Sequence, residues 1–342
     1  MKEIEQKFIV RLPVGEIKSQ IDDAVRGSTF TQDEWYSTDR IFDYYDTPQL
    51  DLLRTGQTLR EVSGFEKGVR YDLKSGPIVD RNESSVWANG KDIAPMLHVL
   101  GAKVALKGVP MHYDKCIIHK DETVIECGID TTPYYTEIEF ELEHGRREVL
   151  DEFCESFHEN GNFEPADVQK YLRTWVMSHP QLNVLQHQQQ DCRWHTDTVL
   201  EHTLQTVQEL QAVLKEFPSN RSYGLFLTTV FHDVGKINPE IVNGDIKFPG
   251  HEEIGASIAD LSEHGLGEFE ECSIRKLIED HGHLGRCILE GPVDWVQNIP
   301  DQARISLADL RASNLQRDYA EEFRERESRL IQLITEGKNE HR

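Results

Sequence analysis

The sequence predicts an α+β chain, with an antiparallel sheet in its first half and an all-α second half. Residues 3–10 and 135–143 alternate charged and apolar side chains, which is the period of a strand with one buried face. Residues 196–217 carry apolar side chains at helical spacing, and a second apolar run, which is compatible with a helix, ends at His232-Asp233. The two halves therefore differ in their predicted secondary structure.

Composition limits the class of protein. The 342 residues are enough for two domains with separate cores. The formal net charge of −24 argues against non-specific binding to a nucleic-acid backbone, although it allows a local basic pocket for phosphate. We expect no membrane span and no signal peptide, because no apolar stretch is long enough and the N-terminus begins with charged, strand-like sequence. The six cysteines form no C-x-x-C pair, which favours a reducing, cytoplasmic location.

Two acidic strands lie at opposite ends of the first half. Glu3 and Glu5 share one face of the first strand, and Glu137 and Glu139 share one face of the last. The last strand alone is more typical of an exposed strand with its acidic face in water. If the two faces converge, they form a carboxylate cluster suited to Mg²⁺ or Mn²⁺, which prefer oxygen ligands.

Basic residues on the strand-like segments would supply the counter-charge for a polyphosphate. Each of them alone is more typical of a solvated surface base. Together with the acidic strands they predict a phosphate site whose basic members are Lys7, Arg60, Lys74, Arg81 and Lys115.

Four blocks of this half resemble the CYTH, or triphosphate tunnel metalloenzyme, family. They are residues 3–7 (its ExExK signature), 44–48 continuing to Leu59-Arg60 (its YFDTP…LR segment), 71–77 (its LTLK-G-P strand) and 137–139 (its late acidic strand). The resemblance implies an eight-stranded antiparallel β-tunnel with covering helices. It also implies triphosphate hydrolysis or adenylyl cyclisation, with Mg²⁺ or Mn²⁺ inside the tunnel.

The same resemblance implies roles for the charged residues. Glu3, Glu5, Glu137 and Glu139 would hold metal, Lys7, Arg60, Lys74, Arg81 and Lys115 would bind phosphate, and Glu5 and Lys7 would take part in catalysis. One departure concerns Arg60-Glu61-Val62, where the family often has Arg-x-Arg. We therefore expect one phosphate contact to be missing.

The second half contains histidines and aspartates at the ends of, or inside, successive predicted helices. Any one of them is more often structural or exposed than a metal ligand. As a set they predict a metal site, and the set is His202, His232, Asp233, His251, His281 and Asp309. His195 stands apart from the remaining histidines because it precedes the helix that carries His202.

The order of this set resembles the HD-domain phosphohydrolase superfamily. Residues 192–203, 231–236 and 250–252 match its usual local sequence. The resemblance implies one ion held by His202, His232, Asp233 and Asp309, and a second ion held by His251 and His281, with Asp233 as the bridge. Imidazole and carboxylate ligands suit Mn, Fe, Ni or Co. Lys236 would neutralise phosphoryl oxygens beside the catalytic Asp233, with Arg286 and Arg311 as further basic candidates.

These interpretations give a domain plan. We predict a tunnel domain at 1–178, a linker at 179–191, a helical phosphohydrolase domain at 192–316 and a charged C-terminal helix or tail at 317–342. The tail is expected to be solvated or to face another subunit.

The predicted function is that of a bifunctional, metal-dependent phosphohydrolase. The tunnel would hydrolyse a nucleoside, RNA 5′-end or inorganic triphosphate, and the second domain would hydrolyse a phosphomonoester or phosphodiester of a nucleotide or RNA end, such as a 2′,3′-phosphate. One alternative is an adenylyl cyclase joined to a cyclic-nucleotide phosphodiesterase. Another is a non-catalytic tunnel that senses a nucleotide and controls the second site.

Overall fold

The structure is a computed structural model that describes residues 2–75, 81–88, 97–158, 160–166, 168–190, 192, 194–289 and 299–336. The chain divides into two compact units, Met1–Tyr171 and Leu172–Arg342. The division lies ahead of the linker predicted at 179–191. Within that stretch Pro180–Asn183 forms a helical turn, and Leu182 and Leu185 are buried, so these two side chains fix the segment to the second unit.

Over the residues that the structure describes, the first unit is built on one antiparallel sheet of eleven strands rather than the eight that were predicted. Three of the eleven are short additions of two or three residues, β1, β3 and β11, which carry too little alternation to be recognised in the sequence. In chain order the strands are β1 (Lys2–Glu3), β2 (Glu5–Val10), β3 (Thr31–Gln32), β4 (Tyr36–Asp46), β5 (Thr58–Phe65), β6 (Gly68–Ser75), β7 (Arg81–Ala88), β8 (Lys103–Lys120), β9 (Thr123–Thr131), β10 (Thr136–His144) and β11 (Phe163–Pro165).

The N-terminal segment closes this sheet. The strands follow the order β1-β7-β6-β5-β4-β8-β9-β10-β2-β11. β1 pairs with β7 and β2 pairs with β10, yet only Ile4 separates β1 from β2 in the chain. One continuous segment thus borders both ends of the series, so the sheet curls round and encloses an inner face.

Apolar side chains on the outer face of the sheet form the core of this unit. Phe8, Ile138 and Phe140 point outward from β2 and β10 and are fully buried. They pack under two amphipathic helices, α1 (Val14–Arg26) and α3 (Arg147–His158). A short helix, α2 (Asp51–Arg54), connects β4 and β5. Because the strands alternate, the charged residues are left on the inner face.

The second unit is helical, apart from one small hairpin of β12 (Glu240–Val242) and β13 (Asp245–Lys247). Helix α4 (Lys170–Ser178) contains the division between the units. It is followed by α5 (Pro180–Asn183), α6 (Val199–Glu216), α7 (Ser222–Phe231), α8 (His251–Ile258), α9 (Glu268–Cys287), α10 (Ile299–Arg311), α11 (Leu315–Asp318) and α12 (Ala320–Glu336).

The helices of this unit are held together by apolar faces. Residues Leu225 to Phe231 of α7 are buried on all sides, which explains the uninterrupted apolar run in the sequence. The segment predicted as a charged helix or tail contains helix α12, which buries Phe323, Leu330 and Ile334. Among the described residues, no helix has the length and apolar composition needed to cross a membrane.

Candidate metal and phosphate sites

The two acidic strands predicted to converge are direct neighbours in the first unit. The β2–β10 register places Lys7 opposite Glu139 and Glu5 opposite Glu141. Glu5 and Glu137 are buried, with 3% and 0% of their surface exposed. The acidic face of β10 therefore lines the inside of the closed sheet instead of facing water.

Two lysines neutralise part of this carboxylate cluster. Lys7 Nζ lies 2.7 Å from Glu139 Oε1 and 3.0 Å from Glu5 Oε1. Lys170 Nζ, from the start of α4, lies 2.8 Å from Glu139 Oε1 and 3.1 Å from Glu137 Oε1, and it also contacts Asp130. Each lysine therefore lies between carboxylates, so positive and negative groups alternate inside the closed sheet.

Burial and charge act on these carboxylates in opposite directions. Burial raises the pKa of Glu137 to about 7, against the attraction of Lys170 and Lys7. Burial would also raise the pKa of Glu139, but Lys170 and Lys7 hold it well below its usual value. At neutral pH, Glu139 is therefore ionised and Glu137 is poised to lose its proton to a competing cation.

The donor set of the cluster fits a divalent cation. Among the described residues, Oε2 of Glu137 and Oδ1 of Asp130 are buried without a hydrogen bond, and Oε1 of Glu137 meets the Lys170 ammonium at 3.1 Å. Asp130, Glu137 and Glu139 each offer an oxygen within 4.8 Å of the others. Oxygen-only donors of this kind match Mg²⁺ or Mn²⁺. The side chain of Glu3 lies outside the described residues.

Basic side chains surround the rest of the interior, a cavity of about 480 Å³ that we call the tunnel. Seven of them line it: Lys7, Arg40, Arg60, Arg70, Lys74, Lys115 and Lys170. Of the five basic residues predicted from the sequence, four are among them. The side chain of Arg81, the fifth, lies outside the described residues.

Six of these seven cations have a carboxylate partner, and Arg40 instead donates to Thr38 and to the backbone carbonyls of Asp39 and Gly64. Arg60 Nε lies 3.0 Å from Asp72, and Lys74 Nζ lies 3.1 Å from Glu83. Lys115 contacts Glu126. These pairs hold the basic groups at fixed places along the wall, where the oxygens of a polyphosphate can compete for them.

Val62 lies in the tunnel at the position where the sequence comparison expected a second arginine. Its cross-strand partner on β6 is Arg70, which also lines the tunnel. Arg70 Nε lies 2.8 Å from the same Asp72 carboxylate that holds Arg60. A second guanidinium is thus present beside Arg60, supplied by the neighbouring strand.

The histidines and aspartates of the second unit meet at the end of α7. Helix α6 contributes His202, the turn after α7 contributes His232 and Asp233, α8 and α9 contribute His251 and His281, and α10 contributes Asp309. A Cβ on Gly235 would lie 2.0 Å from the carbonyl oxygen of His251. Only glycine therefore lets the turn after Asp233 lie directly against the start of α8.

Asp233 is the centre of this second cluster, and its two oxygens face different histidines. His251 Nε2 and His281 Nε2 lie 3.5 and 3.6 Å from Oδ1. His232 Nε2 and His202 Nε2 lie 3.2 and 3.8 Å from Oδ2. The carboxylate therefore belongs to two separate triads, as a bridge between two ions would.

Backbone carbonyls orient three of the imidazoles. Nδ1 of His232, His251 and His281 lies 2.7, 2.9 and 2.6 Å from the carbonyl oxygens of Thr229, Phe248 and Ile278. Because a carbonyl only accepts, each Nδ1 carries a proton, and Nε2 is the ring nitrogen that faces Asp233. This is the arrangement that fixes histidine as a metal ligand.

The chemistry of the second cluster fits a transition metal. Among the described residues, His232 Nε2 and Asp233 Oδ1 are buried and make no hydrogen bond. Burial would raise the pKa of Asp233, but His232 and Lys236 hold it well below its usual value. His202 Nε2 lies 2.9 Å from Asp309, whose pKa is likewise lowered against the effect of burial. An ionised carboxylate among imidazoles suits Mn, Fe, Ni or Co.

No family model matches the sequence, and the search of curated proteins gave no match. Solved structures show similarity over about half of the chain. A candidate adenylate cyclase from Vibrio parahaemolyticus is 15% identical, with 50% of this chain and 96% of that chain covered and a TM-score of 0.35. The PH1819 protein from Pyrococcus horikoshii is 18% identical, with 52% and 99% covered and a TM-score of 0.36. HpAC1 from Hippeastrum, described as a candidate adenylyl cyclase with a dominant triphosphatase activity, is 16% identical, with 49% and 93% covered and a TM-score of 0.35.

Three basic residues and His195 complete the surroundings of the second cluster. Lys236 Nζ lies 2.7 Å from Asp233 Oδ2 and donates to Gln190 at 2.7 Å. His195 stacks near His202, with 4.0 Å between ring centroids, and forms a possible ligand triad with His202 and Asp309. Arg286 lines the adjoining cavity. Arg311 instead pairs with Glu327 at 2.9 Å.

Sequence reasoning missed Lys170, Arg40, Arg70 and Asp130 as site residues. Lys170 lies in an amphipathic segment that was interpreted only as a covering helix. Arg40 and Arg70 lie on predicted strands, but their orientation depends on which strands become neighbours. The alternation of Arg70, Asp72 and Lys74 on β6 was a signal that could have placed Arg70 beside Lys74, on the same face.

Proposed function

We propose that this protein is a bifunctional, metal-dependent phosphohydrolase. The tunnel hydrolyses a nucleoside triphosphate, an RNA 5′-triphosphate or inorganic triphosphate, with Mg²⁺ or Mn²⁺. The cluster around Asp233 hydrolyses a phosphomonoester or phosphodiester of a nucleotide or RNA end with one or two ions of Mn, Fe, Ni or Co. No step requires the two sites to share one substrate molecule.

The charge pattern inside the tunnel supports the first activity. Carboxylates gather on β9 and β10, and the guanidinium groups of Arg60 and Arg70 lie on β5 and β6. A triphosphate needs both, because its oxygens bind a divalent cation and also accept hydrogen bonds from guanidinium and ammonium groups. Glu5, Glu137 and Glu139 would hold the cation, with Lys7 next to them.

The division of the Asp233 carboxylate between two histidine pairs is the observation that carries the second activity. A buried carboxylate faced by four imidazoles, with a lysine at only one of its two oxygens, is typical of a metal cluster rather than of a purely structural network. A divalent metal at such a cluster polarises phosphoryl oxygens and activates water. Lys236, 2.7 Å from Asp233, lies where it can neutralise charge on a phosphoryl oxygen.

A phosphate-release screen tests both activities. The substrates are tripolyphosphate, ATP, RNA with a 5′-triphosphate, nucleoside monophosphates and 2′,3′-cyclic nucleotides, each with Mg²⁺, Mn²⁺ and Ni²⁺. Glu5→Ala should remove only the triphosphate reactions, and Asp233→Ala should remove only the ester reactions. The exposed carboxylates Glu16 and Glu253 provide matched controls, and their alanine variants should retain both.

Three results would contradict the proposal. Cyclic AMP and pyrophosphate from ATP would replace tunnel hydrolysis with cyclisation. A change in ester hydrolysis by Glu5→Ala, without any triphosphatase activity in the wild type, would make the tunnel a sensor. Absence of phosphate release from every substrate with every metal would reject both halves of the proposal.

A further inference from the structure

A second cavity, of about 260 Å³, adjoins the Asp233 cluster and differs in character from the tunnel. Its lining includes the metal-ligand candidates His195, Asp233 and His281, and the charged residues Lys236, Glu252 and Arg286. It also includes four large apolar side chains, Trp194, Ile288, Leu310 and Leu330, and we call the part of the cavity that they line the apolar pouch.

Trp194 forms an aromatic wall of the pouch. It directly precedes His195 in the chain, and its carbonyl oxygen accepts a hydrogen bond of 2.8 Å from the Asn314 backbone. The Arg326 guanidinium lies 5.1 Å from the centre of the Trp194 ring. The indole is therefore fixed beside a metal-ligand candidate, with a cation at its face.

Arg326 is itself held in place before any ligand arrives. Its Nη1 donates to the carbonyl oxygen of Gly285, and its Nε donates to Glu322 at 3.0 Å. Its side chain is 12% exposed. A planar, fixed guanidinium next to an indole is a surface on which a flat ring can stack at low entropic cost.

A glycine of α9 faces the pouch, and its lack of a side chain leaves space there. Gly285 follows His281 by four residues on the same helix and lines the cavity. A Cβ on Gly285 would meet no atom within 4 Å among the described residues, so this position opens onto free space. Glycine in a helix interior costs stability relative to alanine, which suggests that the space itself is used.

We infer that the apolar pouch binds the base of a nucleotide, with Trp194 and Arg326 as its stacking surface and the phosphate directed to the Asp233 cluster. The inference deepens the second activity proposed above. An inorganic phosphate or a simple sugar phosphate carries no flat apolar group that could pack against the indole and the leucines. Aromatic side chains and arginine planes are the groups on which nucleobases stack.

Binding of AMP and ribose 5-phosphate to the full chain with Mn²⁺ tests this, because the two probes differ only by the base. Calorimetry should show AMP binding about ten-fold tighter in the wild type. Trp194→Ala should abolish this preference, and Trp194→Phe should retain it. Gly285→Leu fills the pouch and should also abolish the preference, whereas Gly285→Ala should keep it.

Equal affinity of the wild type for the two probes would overturn the inference, as would an unchanged preference in both Trp194→Ala and Gly285→Leu. Circular dichroism and the metal content of each variant show whether that variant has folded. Trp194→Ala and Gly285→Leu change different parts of the chain, so a folding defect in one leaves the other as a test. Failure of the proposed function has a different signature. In that case AMP binds with the expected preference, but no nucleotide ester is hydrolysed.

Discussion

Arg60 and Asp72 face each other across β5 and β6, with Arg60 Nε 3.0 Å from the carboxylate inside the tunnel. Asp72 also holds Arg70 at 2.8 Å and accepts a hydrogen bond of 2.8 Å from Ser85. Its carboxylate is fully buried, and the two arginines hold its pKa below the usual value against the effect of burial. One carboxylate therefore positions two guanidinium groups towards the tunnel.

Asp72→Asn should weaken the hold on a triphosphate, because an amide cannot fix two guanidinium groups as a carboxylate does. We expect kcat/KM for tripolyphosphate to fall roughly 100-fold, mainly through KM, with hydrolysis at the second site unchanged. Asp114→Asn is the matched control. Asp114 is a buried carboxylate on the same sheet that pairs with Lys18 at 2.6 Å, away from the tunnel lining. Equal losses in the two variants would show that Asp72 serves stability alone.

Metal content should report the division of Asp233 between two ions. His281→Ala and His202→Ala should each lower the manganese bound per chain by one equivalent after dialysis, because they face different oxygens of Asp233. Asp233→Ala should lower it by two. The difference in bound manganese between a variant and the wild type reports on this cluster alone, because the tunnel ligands are the same in both proteins. His283→Ala on the same helix is the control, and identical losses for His281 and Asp233 would indicate a single ion.

The sequence predicted the local features of both sites, because these depend on short-range patterns. The alternation of Glu137, Ile138 and Glu139 places the acids on one face of a strand wherever that strand lies. The apolar run before His232 likewise predicts a buried helix whose end carries two polar side chains. Strand alternation and helical period were therefore sufficient for these residues.

Contacts between residues that are distant in the sequence could not be predicted from such local patterns. Lys170 contacts Glu137 and Asp130, which precede it in the chain by dozens of residues. Arg70 lies beside Arg60 because β5 and β6 pair in one particular register. Arg326 was hidden in a segment of alternating charge, where its role depends on the buried face of α12. Long-range register and helix packing decide all three.

The pH dependence of stability should carry a contribution from His264 in the second unit. Burial, with a smaller effect from His179, lowers the pKa of His264 from 6.5 to about 4. Between pH 6.5 and 4 the unfolded chain therefore takes up a proton that the folded chain does not, so stability falls as the pH is lowered through this window. His264→Gln should show a shallower fall in the free energy of unfolding.

Urea unfolding at a series of pH values measures this contribution. Wild type and His264→Gln should differ by a constant amount above pH 7, where histidine is neutral in both states. Their curves should approach each other as the pH falls from 6.5 to 4. Parallel curves through the whole range would show that His264 titrates at its ordinary pKa in the folded protein.

Replacement of Lys170 by methionine should lower the stability of the first unit, and a bound divalent metal should restore part of that stability. Lys170 Nζ contacts Asp130, Glu137 and Glu139, and its loss leaves three carboxylates together without this cation. Breaking a buried ionic network in this way costs about 3–5 kcal/mol. A divalent cation bound by the same carboxylates supplies the missing positive charge. Calorimetry of the variant in EDTA should therefore show a lowered Tm that rises with added Mn²⁺ by more than the wild-type Tm does.

Lys18→Met separates this effect from general loss of an ion pair. Lys18 pairs with Asp114 at 2.6 Å and is not among the residues that line the tunnel, so Mn²⁺ should shift its Tm no more than that of the wild type. A Lys170→Met Tm that responds to Mn²⁺ no more than the Lys18→Met Tm would mean that these carboxylates bind no metal. If Lys170→Met does not fold, direct Mn²⁺ titration of Lys170→Gln decides the same question, because glutamine removes the charge and keeps a side chain that can donate hydrogen bonds. A gain in Mn²⁺ affinity over the wild type is expected, since the metal no longer competes with the ammonium group for Glu137 and Glu139.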